Sequence, residues 1–264
     1  MTPVFITTTI GHSSAYKDQK AFRLTLSAFF NSMARQTVQP RLIIVCHDIP
    51  FRLTDATGVK WIYWKSVDPA GVTGGGMYTL VLGPNGDHYE VKNYDSPITD
   101  MGRKTVVGQR VAHDLAASEG IDRYWVLRMD SDDLLAREHV EFLSKLAGVE
   151  AVYNRRCHVF DHQTKEFAAL IHPYSTTCNA LLFQMMGGGT ICPRWDYHYD
   201  DHTRFERRVR EDNIPSLEVD NTLCILSNTG NNLSDRPGAK KEPFSRPALL
   251  TDELKYRYGL GRLL

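Results

Sequence analysis

The chain has 264 residues, with 31 basic and 31 acidic side chains, so its formal net charge at pH 7 is zero. Hydrophobic residues make up 42% of the chain and charged residues 23%, which is typical of a folded globular protein and excludes a disordered or low-complexity chain. Because general nucleic-acid binding depends on an excess of basic residues, the balanced charge argues against it. No apolar run approaches the roughly 20 residues that a membrane-spanning helix needs.

The cysteines and the first residues indicate the cellular compartment. The five cysteines are odd in number and include no Cys-x-x-Cys pair, so neither a disulfide framework nor a cysteine zinc site is predicted. Residues 1–10 lack the basic start of a secretory signal and are typical of a strand. The sequence therefore predicts a cytoplasmic protein.

Strand and helix patterns alternate through the first part of the chain. Short β-branched and apolar runs predict four strands, at Val4–Ile10, Leu42–Cys46, Trp61–Trp64 and Tyr124–Met129. Apolar residues at helical spacing predict helices at Phe22–Met33, at Val107–Leu115 with Gly120 as the C-cap, and at His139–Leu146. This alternation predicts an α/β fold with a Rossmann-like, mostly parallel sheet flanked by helices.

Two segments predict antiparallel hairpins. Asn85-Gly86 stands between Tyr78–Leu82 and His88–Val91 and matches a two-residue type I′ turn. A second hairpin is expected to pair Ala151–Phe160 with Phe167–Ile171. Because no linker divides the chain, we expect one compact domain with two halves, residues 1–133 and 134–264, the second ending in a basic tail.

Two carboxylates follow the strand at Tyr124–Met129. In open parallel sheets, ligands bind beyond the carboxyl ends of the strands, where Asp130 and Asp132 stand. If the chain stays extended, these residues point to the same side and repel each other. A divalent cation removes that conflict, and Mg²⁺ or Mn²⁺ binds one or two carboxylates together with substrate phosphates. The sequence therefore predicts a metal–diphosphate site.

The same acidic run also allows simpler interpretations. A calcium loop of the EF-hand type is excluded, because Leu134 and Leu135 stand where a ligand and a glycine are required. Asp132 or Asp133 could serve as the N-cap of the next helix, and we expect Asp133 to do so. A capping role for Asp132 or Asp133 would not explain why a further carboxylate, Asp130, stands at the end of the strand.

Several segments together resemble GT-A glycosyltransferases, in particular the family-2-like enzymes and the rhamnosyltransferase group of bacteria. The resemblance rests on the N-terminal strand and on the segments Gln36–Pro40, Ile43–Asp48, Asp100–Lys104, Arg128–Asp133 and Gly230–Arg236. It also includes a later acidic pair, Asp200-Asp201, before an arginine-rich helix. It implies a GT-A-like fold whose first half binds a nucleotide-sugar donor and whose second half binds the acceptor.

The resemblance implies donor and metal contacts for particular residues. Asp130 and Asp132 would bind Mn²⁺ or Mg²⁺, and the donor-binding residues would be Thr9, His12, Asp48, Arg103, Lys104, Asp130 and Ser131. Asp48 could instead lie in a loop turn without a binding role. Arg103 and Lys104 could instead lie at a solvent-exposed helix start. Many metal-dependent members add a late histidine as a ligand. No histidine follows His202 here, so the third ligand is not predicted.

The second acidic cluster is expected to supply the catalytic base. Inverting sugar transfer needs a base that takes the proton of the acceptor hydroxyl. In similar enzymes an acidic pair at the start of a helix does this, which implies Asp201 as the base, with Asp200 or His202 as alternatives. One carboxylate could instead only cap the helix. His198 and His202, four residues apart, leave a metal-binding pair open as a further alternative.

The function implied is a metal-dependent, inverting glycosyltransferase. Its expected donor is a UDP-, dTDP- or GDP-linked sugar, and its expected acceptor a glycan or a lipid-linked sugar at the inner face of the bacterial membrane. A peripheral membrane contact through Lys255–Leu264 stays open. The alternatives are a sugar nucleotidyltransferase, which the single glycine in Gly11–Lys17 disfavours, and a carbohydrate- or nucleotide-binding protein without turnover.

Overall fold

The computed structural model describes residues 1–10, 18–46, 59–63, 78–82, 88–92, 97–171, 176, 178–185, 202–227 and 245–263. The helices are α1 Gln19–Ala34, α2 Pro97–Ser118, α3 His139–Lys145, α4 His202–Glu211 and α5 Asp252–Tyr258, followed by a 3-10 turn at Leu260–Arg262. The strands are β1 Val4–Ile10, β2 Arg41–Cys46, β3 Val59–Tyr63, β4 Tyr78–Leu82, β5 His88–Lys92, β6 Arg123–Arg128, β7 Asp133–Leu135, β8 Ala151–Asp161, β9 Phe167–Ile171, β10 Asn179–Gln184, β11 Ser216–Ser227 and β12 Ser245–Pro247.

Ten of the described strands form one sheet, in the order β12-β9-β8-β10-β6-β1-β2-β3, with β11 beside β8 and β7 beside β11. The strands β6, β1, β2 and β3 are parallel, and β10 joins β6 antiparallel. The predicted α/β architecture is confirmed, and the parallel pairing is not limited to the first half of the chain, since β11 also pairs parallel with β8. Both predicted hairpins are also confirmed, since β4 pairs antiparallel with β5 and β8 with β9. The Asn85-Gly86 turn lies outside the described residues.

The sheet has apolar side chains on both faces, because its central strands are buried between helices. On one face, Ile6 of β1 and Leu127 of β6 pack in one cluster with Leu26 of α1. On the other face, Phe5 of β1 packs in a second cluster with Val111 of α2. This second cluster also contains the buried side chains of α4. Helices α1 and α2 therefore cover opposite faces of the same strands.

The order of the parallel strands defines where a ligand would bind. From β1 the chain continues to β2 and β3 on one side, whereas β6 lies on the other side of β1. Ligands in open α/β sheets bind beyond the carboxyl ends of the strands at such a switch in strand order. We call the carboxyl ends of β1 and β6, together with the residues that follow β6, the carboxyl edge.

The end of α2 follows the sequence prediction. Gly120 adopts the left-handed region, with φ +67°. The N–H of Gly120 donates to the Ala117 carbonyl at 3.1 Å and that of Ile121 donates to the Ala116 carbonyl at 2.8 Å. These two bonds form a Schellman motif, which satisfies carbonyls that the helix end would leave without a partner.

The start of α3 differs from the prediction. Asp133 is not an N-cap, because it lies in β7, paired with Ile225 of β11. The N-cap position belongs to Glu138, whose side chain makes no capping hydrogen bond. A strand of three residues therefore stands between the acidic run and the helix. It forms because β11, about ninety residues later in the chain, offers a pairing partner.

The last helix joins distant parts of the chain. The Tyr258 hydroxyl donates to the Asn221 carbonyl of β11 at 2.6 Å, and the Asn31 amide of α1 donates to the Gly259 carbonyl at 3.3 Å. Arg257 forms an ion pair with Glu138 before α3. Gly259 has φ +72°, and a Cβ there would lie 2.9 Å from the Asn31 Nδ2 atom, so the close approach of α5 to α1 requires glycine. Within the described residues, no helix is long and apolar enough to cross a membrane.

His139 at the start of α3 is expected to make stability depend on pH. Burial, with the nearby charge of Arg257 adding to it, lowers the pKa of His139 from 6.5 to about 3. The unfolded chain therefore takes up a proton below pH 6.5 that the folded protein does not, and stability is lost as the pH falls from about 6.5 towards 3. Because of this residue, we expect the free energy of unfolding to fall by about 2 kcal/mol between pH 7 and pH 5.

Urea unfolding of the wild type and of His139→Gln at pH 7 and pH 5 measures this effect. The variant lacks the titrating ring, so it should lose about 2 kcal/mol less than the wild type over this range. The lowered pKa values of His113 and His158 affect both proteins alike. Equal losses in the two proteins would contradict the assignment to His139.

Candidate functional site

The aspartates after β6 lie in a turn. The Met129 N–H donates to the Thr7 carbonyl of β1 at 3.1 Å, which is the last bond that holds β6 to β1. The Asp133 N–H then donates to the Asp130 carbonyl at 3.3 Å and closes a four-residue turn. The chain over Asp130–Asp132 is therefore not extended, and the condition under which the two side chains would point to the same side is not met. The turn occurs because the chain must change direction to enter β7.

The turn keeps the predicted metal ligands at the carboxyl edge. Asp130, Ser131 and Asp132 are half-buried, and Asp133 is almost fully buried. Mg²⁺ or Mn²⁺ binds one or two carboxylates and accepts water and phosphate oxygens as further ligands. The donor set therefore fits a hard divalent cation that is completed by a diphosphate.

Other described side chains do not complete a metal site. Within the ranges that the structure describes, no group of three or more His, Cys, Asp or Glu side chains could hold a metal ion. Burial raises the pKa of the Cys178 and Cys224 thiols, so both stay protonated at neutral pH. A cation at the turn would have to take its remaining ligands from a substrate, from water or from residues outside these ranges.

Helix α2 brings a buried cation to the end of β1. Lys104 is 1% exposed, and its Nζ atom donates to the Ile10 carbonyl at 3.1 Å. One turn later, Gly108 lets α2 approach β1 closely, because a Cβ there would lie 3.3 Å from the Cβ of Thr7. The alternative of a solvated helix start is therefore wrong for Lys104. Arg103 and Lys104 also do not begin the helix, which starts at Pro97.

A buried polar row crosses the sheet beside these residues. Arg128 at the end of β6 pairs in register with Thr7 of β1 and with Asn179 of β10, so the three side chains share the face that α2 covers. Arg128 is 4% exposed and Asn179 is 1% exposed. The Asn179 amide donates to the Thr176 carbonyl at 2.7 Å, while its Oδ1 atom has no hydrogen-bond partner among the described residues.

Sequence reasoning missed Arg128 and Asn179. Arg128 could have been singled out as a charge that ends a buried apolar strand, since such a residue needs a polar surrounding. Asn179 carried no comparable signal, because its place beside Arg128 depends on the register of β10. A buried amide oxygen without a partner is uncommon in folded proteins, which makes Asn179 a candidate binding residue.

The other predicted site residues fall into two groups. Thr9 lies at the end of β1 and is half-buried. His12, Asp48, Asp200 and Asp201 lie outside the described residues. Arg103 and His202 belong to α2 and α4, but their side chains are outside the described part as well. Helix α4 begins at His202, directly after the acidic pair. The catalytic roles of Asp200, Asp201 and His202 stay predictions.

Helix α4 packs against β8 through apolar and charged contacts. Phe205 and Val209 are buried in the cluster on the α2 face. Glu206 bridges Arg210 of the same helix at 2.7 Å and Arg155 of β8 at 3.5 Å. Because Glu206 is half-buried, its ion pairs are expected to hold α4 on β8 more firmly than exposed ion pairs would. The start of α4, where the acidic pair ends, is therefore attached to the sheet.

Comparisons with known proteins do not assign the chain to a family. No family model matches the sequence, and no curated protein sequence matches it. Among solved structures, the chain is similar to that of a putative nucleotide-diphospho-sugar transferase from Desulfovibrio desulfuricans G20, with 10% sequence identity and a TM-score of 0.38. This similarity covers 86% of the present chain and 82% of the other. A TM-score this low assigns neither fold nor function.

Proposed function

We propose that the chain is a metal-dependent glycosyltransferase that moves a sugar from a nucleotide-sugar donor to a glycan or lipid-linked acceptor with inversion. The observation that carries this proposal is the aspartate turn at the switch in strand order, half-buried and directly after β6. With a lipid-linked acceptor, the enzyme would work at the inner face of the bacterial membrane. UDP-, dTDP- and GDP-linked sugars, including dTDP-rhamnose, are the donors to test.

The carboxyl edge suits a diphosphate leaving group. Asp130 and Asp132 would hold Mn²⁺ or Mg²⁺, which would neutralise the charge that develops on the departing diphosphate. Lys104 and Arg128 reach the same edge from α2 and β6 and add positive charge there. Fixed cations in a buried surrounding stabilise developing negative charge more strongly than water does. Thr9, His12, Asp48, Arg103 and Ser131 are proposed as further donor contacts.

The acceptor half would supply the base. Asp201, with Asp200 or His202 as alternatives, would take the proton of the acceptor hydroxyl as its oxygen attacks the anomeric carbon. Support comes from the position of the pair, immediately before a helix that Glu206 and two buried side chains attach to the sheet. A helix N-terminus favours the ionised carboxylate, the form that accepts a proton.

A thermal-shift panel of nucleotide-sugars tests the proposed donor site. Ligands that bind only the folded state raise the melting temperature, so one class of donor should raise it in MnCl₂ and much less in EDTA. No shift with any donor, or equal shifts with and without metal, would contradict the proposal. Release of pyrophosphate from a nucleoside triphosphate and a sugar phosphate would instead identify a nucleotidyltransferase.

The configuration of the product tests the mechanism. A single displacement by an activated acceptor hydroxyl inverts the anomeric carbon, whereas a covalent sugar–enzyme intermediate would retain its configuration. We expect inversion, measured by proton NMR on the first product formed from the donor that the panel identifies. Retention would show that Asp201 does not act as a simple base.

A further inference from the structure

The strand that leaves the aspartate turn is short. β7 has three residues, Asp133–Leu135, and pairs on one side with β11, where Leu134 lies opposite Cys224. The next residue, Ala136, donates its N–H to the Thr222 carbonyl at 2.8 Å. So short a strand has few ladder bonds to fix its direction. Its other side faces the C-terminal end of α1.

Gln36, just after α1, holds the chain where β7 ends. This side chain is 4% exposed. Its Nε2 atom donates to the Ala136 carbonyl at 3.1 Å and to the Ser32 carbonyl at 3.2 Å, with the Leu135 carbonyl at 3.5 Å. Its Oε1 atom accepts from the Val140 N–H at 3.3 Å. Because carbonyls only accept and backbone N–H groups only donate, the orientation of the amide is unambiguous.

The same side chain acts as a cap for α3. The N-cap residue Glu138 makes no capping bond with its side chain, and Val140 is the second residue of the helix. Gln36 therefore satisfies one of the N–H groups that a helix start leaves without a partner. Ser32 adds a second contact, since its Oγ atom accepts from the Leu135 N–H at 3.4 Å. The link between β7 and α3 is thus bonded at its start to Ser32 of α1 and at both of its ends to Gln36, just after α1.

We propose that Gln36 is a positioning residue for the metal site, one that sets the direction in which the turn presents Asp130 and Asp132. The entry to the turn is fixed by β1. The exit is fixed by β11, by a main-chain bond from the Thr37 N–H to the Arg137 carbonyl at 2.9 Å and by the Gln36 amide, so the amide is the side-chain group that contributes most bonds at this end. This inference rests on the metal site of the proposed function. Groups that hydrogen-bond to the ligands of a metal typically change its affinity by 10–100-fold when they are replaced. Gln36 acts one step further away, through the backbone that leaves the turn, so we expect the lower end of that range.

The test replaces Gln36 with methionine, which has a similar length and no polar end. We expect the affinity for UDP, dTDP or GDP in MnCl₂, whichever the wild type binds, to fall by about 10-fold in isothermal titration. The affinity of the same nucleotide in EDTA should stay within about twofold, because Gln36 acts only through the metal ligands. A purely structural role would lower both affinities together or neither.

Three other variants make the result interpretable. Gln39→Met alters an exposed glutamine of the same segment, and Val4→Ala opens a cavity at the amino end of β1, far from the turn. Both should keep the Mn²⁺-dependent affinity within about twofold. Ser32→Ala removes a weaker contact to β7, should lower that affinity in the same direction by less, and serves if Gln36→Met does not fold.

The outcomes separate the two proposals. Wild-type affinity in MnCl₂ for both Gln36→Met and Ser32→Ala would overturn the role of Gln36 and leave the metal site intact. The same would follow if Val4→Ala weakened binding as much as Gln36→Met, since the loss would then come from general destabilisation. A wild type whose nucleotide affinity is the same in MnCl₂ and EDTA would overturn the proposed function and this inference with it.

Discussion

Asp132→Ala is expected to abolish the Mn²⁺-dependent part of nucleotide binding and to stop donor turnover. Asp132 stands in the turn at the carboxyl edge, and its loss would leave Asp130 as the one carboxylate of the pair. A single carboxylate holds a divalent ion much less well than two, so the rise in melting temperature on adding MnCl₂ with nucleotide should disappear.

Asp122→Ala is the matched control for this change. Asp122 is exposed and directly precedes β6, so the same substitution is made next to the same strand but at the opposite edge of the sheet. It should leave nucleotide binding in MnCl₂ unchanged. Unchanged nucleotide affinity in Asp132→Ala would exclude the aspartate turn as the metal anchor and would remove the main support for a sugar-transfer function.

Asp201→Asn is expected to separate binding from chemistry. The amide cannot accept the proton of the acceptor hydroxyl, so transfer should fall by at least about 100-fold, the usual scale for a lost general base. Donor binding should be retained, because the donor contacts are assigned to the first half of the chain. The measurements are the rate of sugar transfer at saturating donor and the melting temperature with donor and MnCl₂.

Three comparisons make the Asp201 result specific. Asp212→Asn, an exposed residue just after α4, should have no effect on transfer. Asp200→Asn should lower the rate less than Asp201→Asn does. Full activity of Asp201→Asn would show that the base is Asp200 or His202. Loss of donor binding in Asp201→Asn would show that the acidic pair belongs to the donor site.

The strands and the first site residues could be predicted because the information is local. A run such as Tyr124–Met129 is too apolar for the surface and too short for a buried helix between turn signals, so it predicts a strand. Asp130 follows it directly, and a residue after a parallel strand lies at the carboxyl end of the sheet whatever the rest of the chain does. The helix end at Gly120 is equally local, since glycine adopts positive φ without strain.

The conformation of the acidic run could not be predicted because distant residues decide it. From the local sequence, Asp133 could either cap a helix or belong to a strand. The pairing of β7 with Leu223–Ile225 favours the strand, and no residue near Asp133 in the sequence predicts that pairing. The burial of Lys104 is similar, because it depends on how closely Gly108 lets α2 approach β1. Local patterns identified these residues as candidates but not their geometry.

The contacts of α5 have a consequence for biosynthesis. The bond between Asn31 and Gly259 spans 228 residues, and that between Tyr258 and Asn221 holds the strand that pairs with β7. Ribosomes add roughly 5–20 residues per second, so Gly259 is synthesised on the order of ten seconds or more after Asn31 of α1. Contacts so remote in sequence also slow folding after release. The nascent polypeptide should therefore expose the side of α1 that carries Leu24 and Ala28 until Tyr258 and Leu260 are available to cover it, and chaperone occupancy is expected to peak before residue 252 emerges.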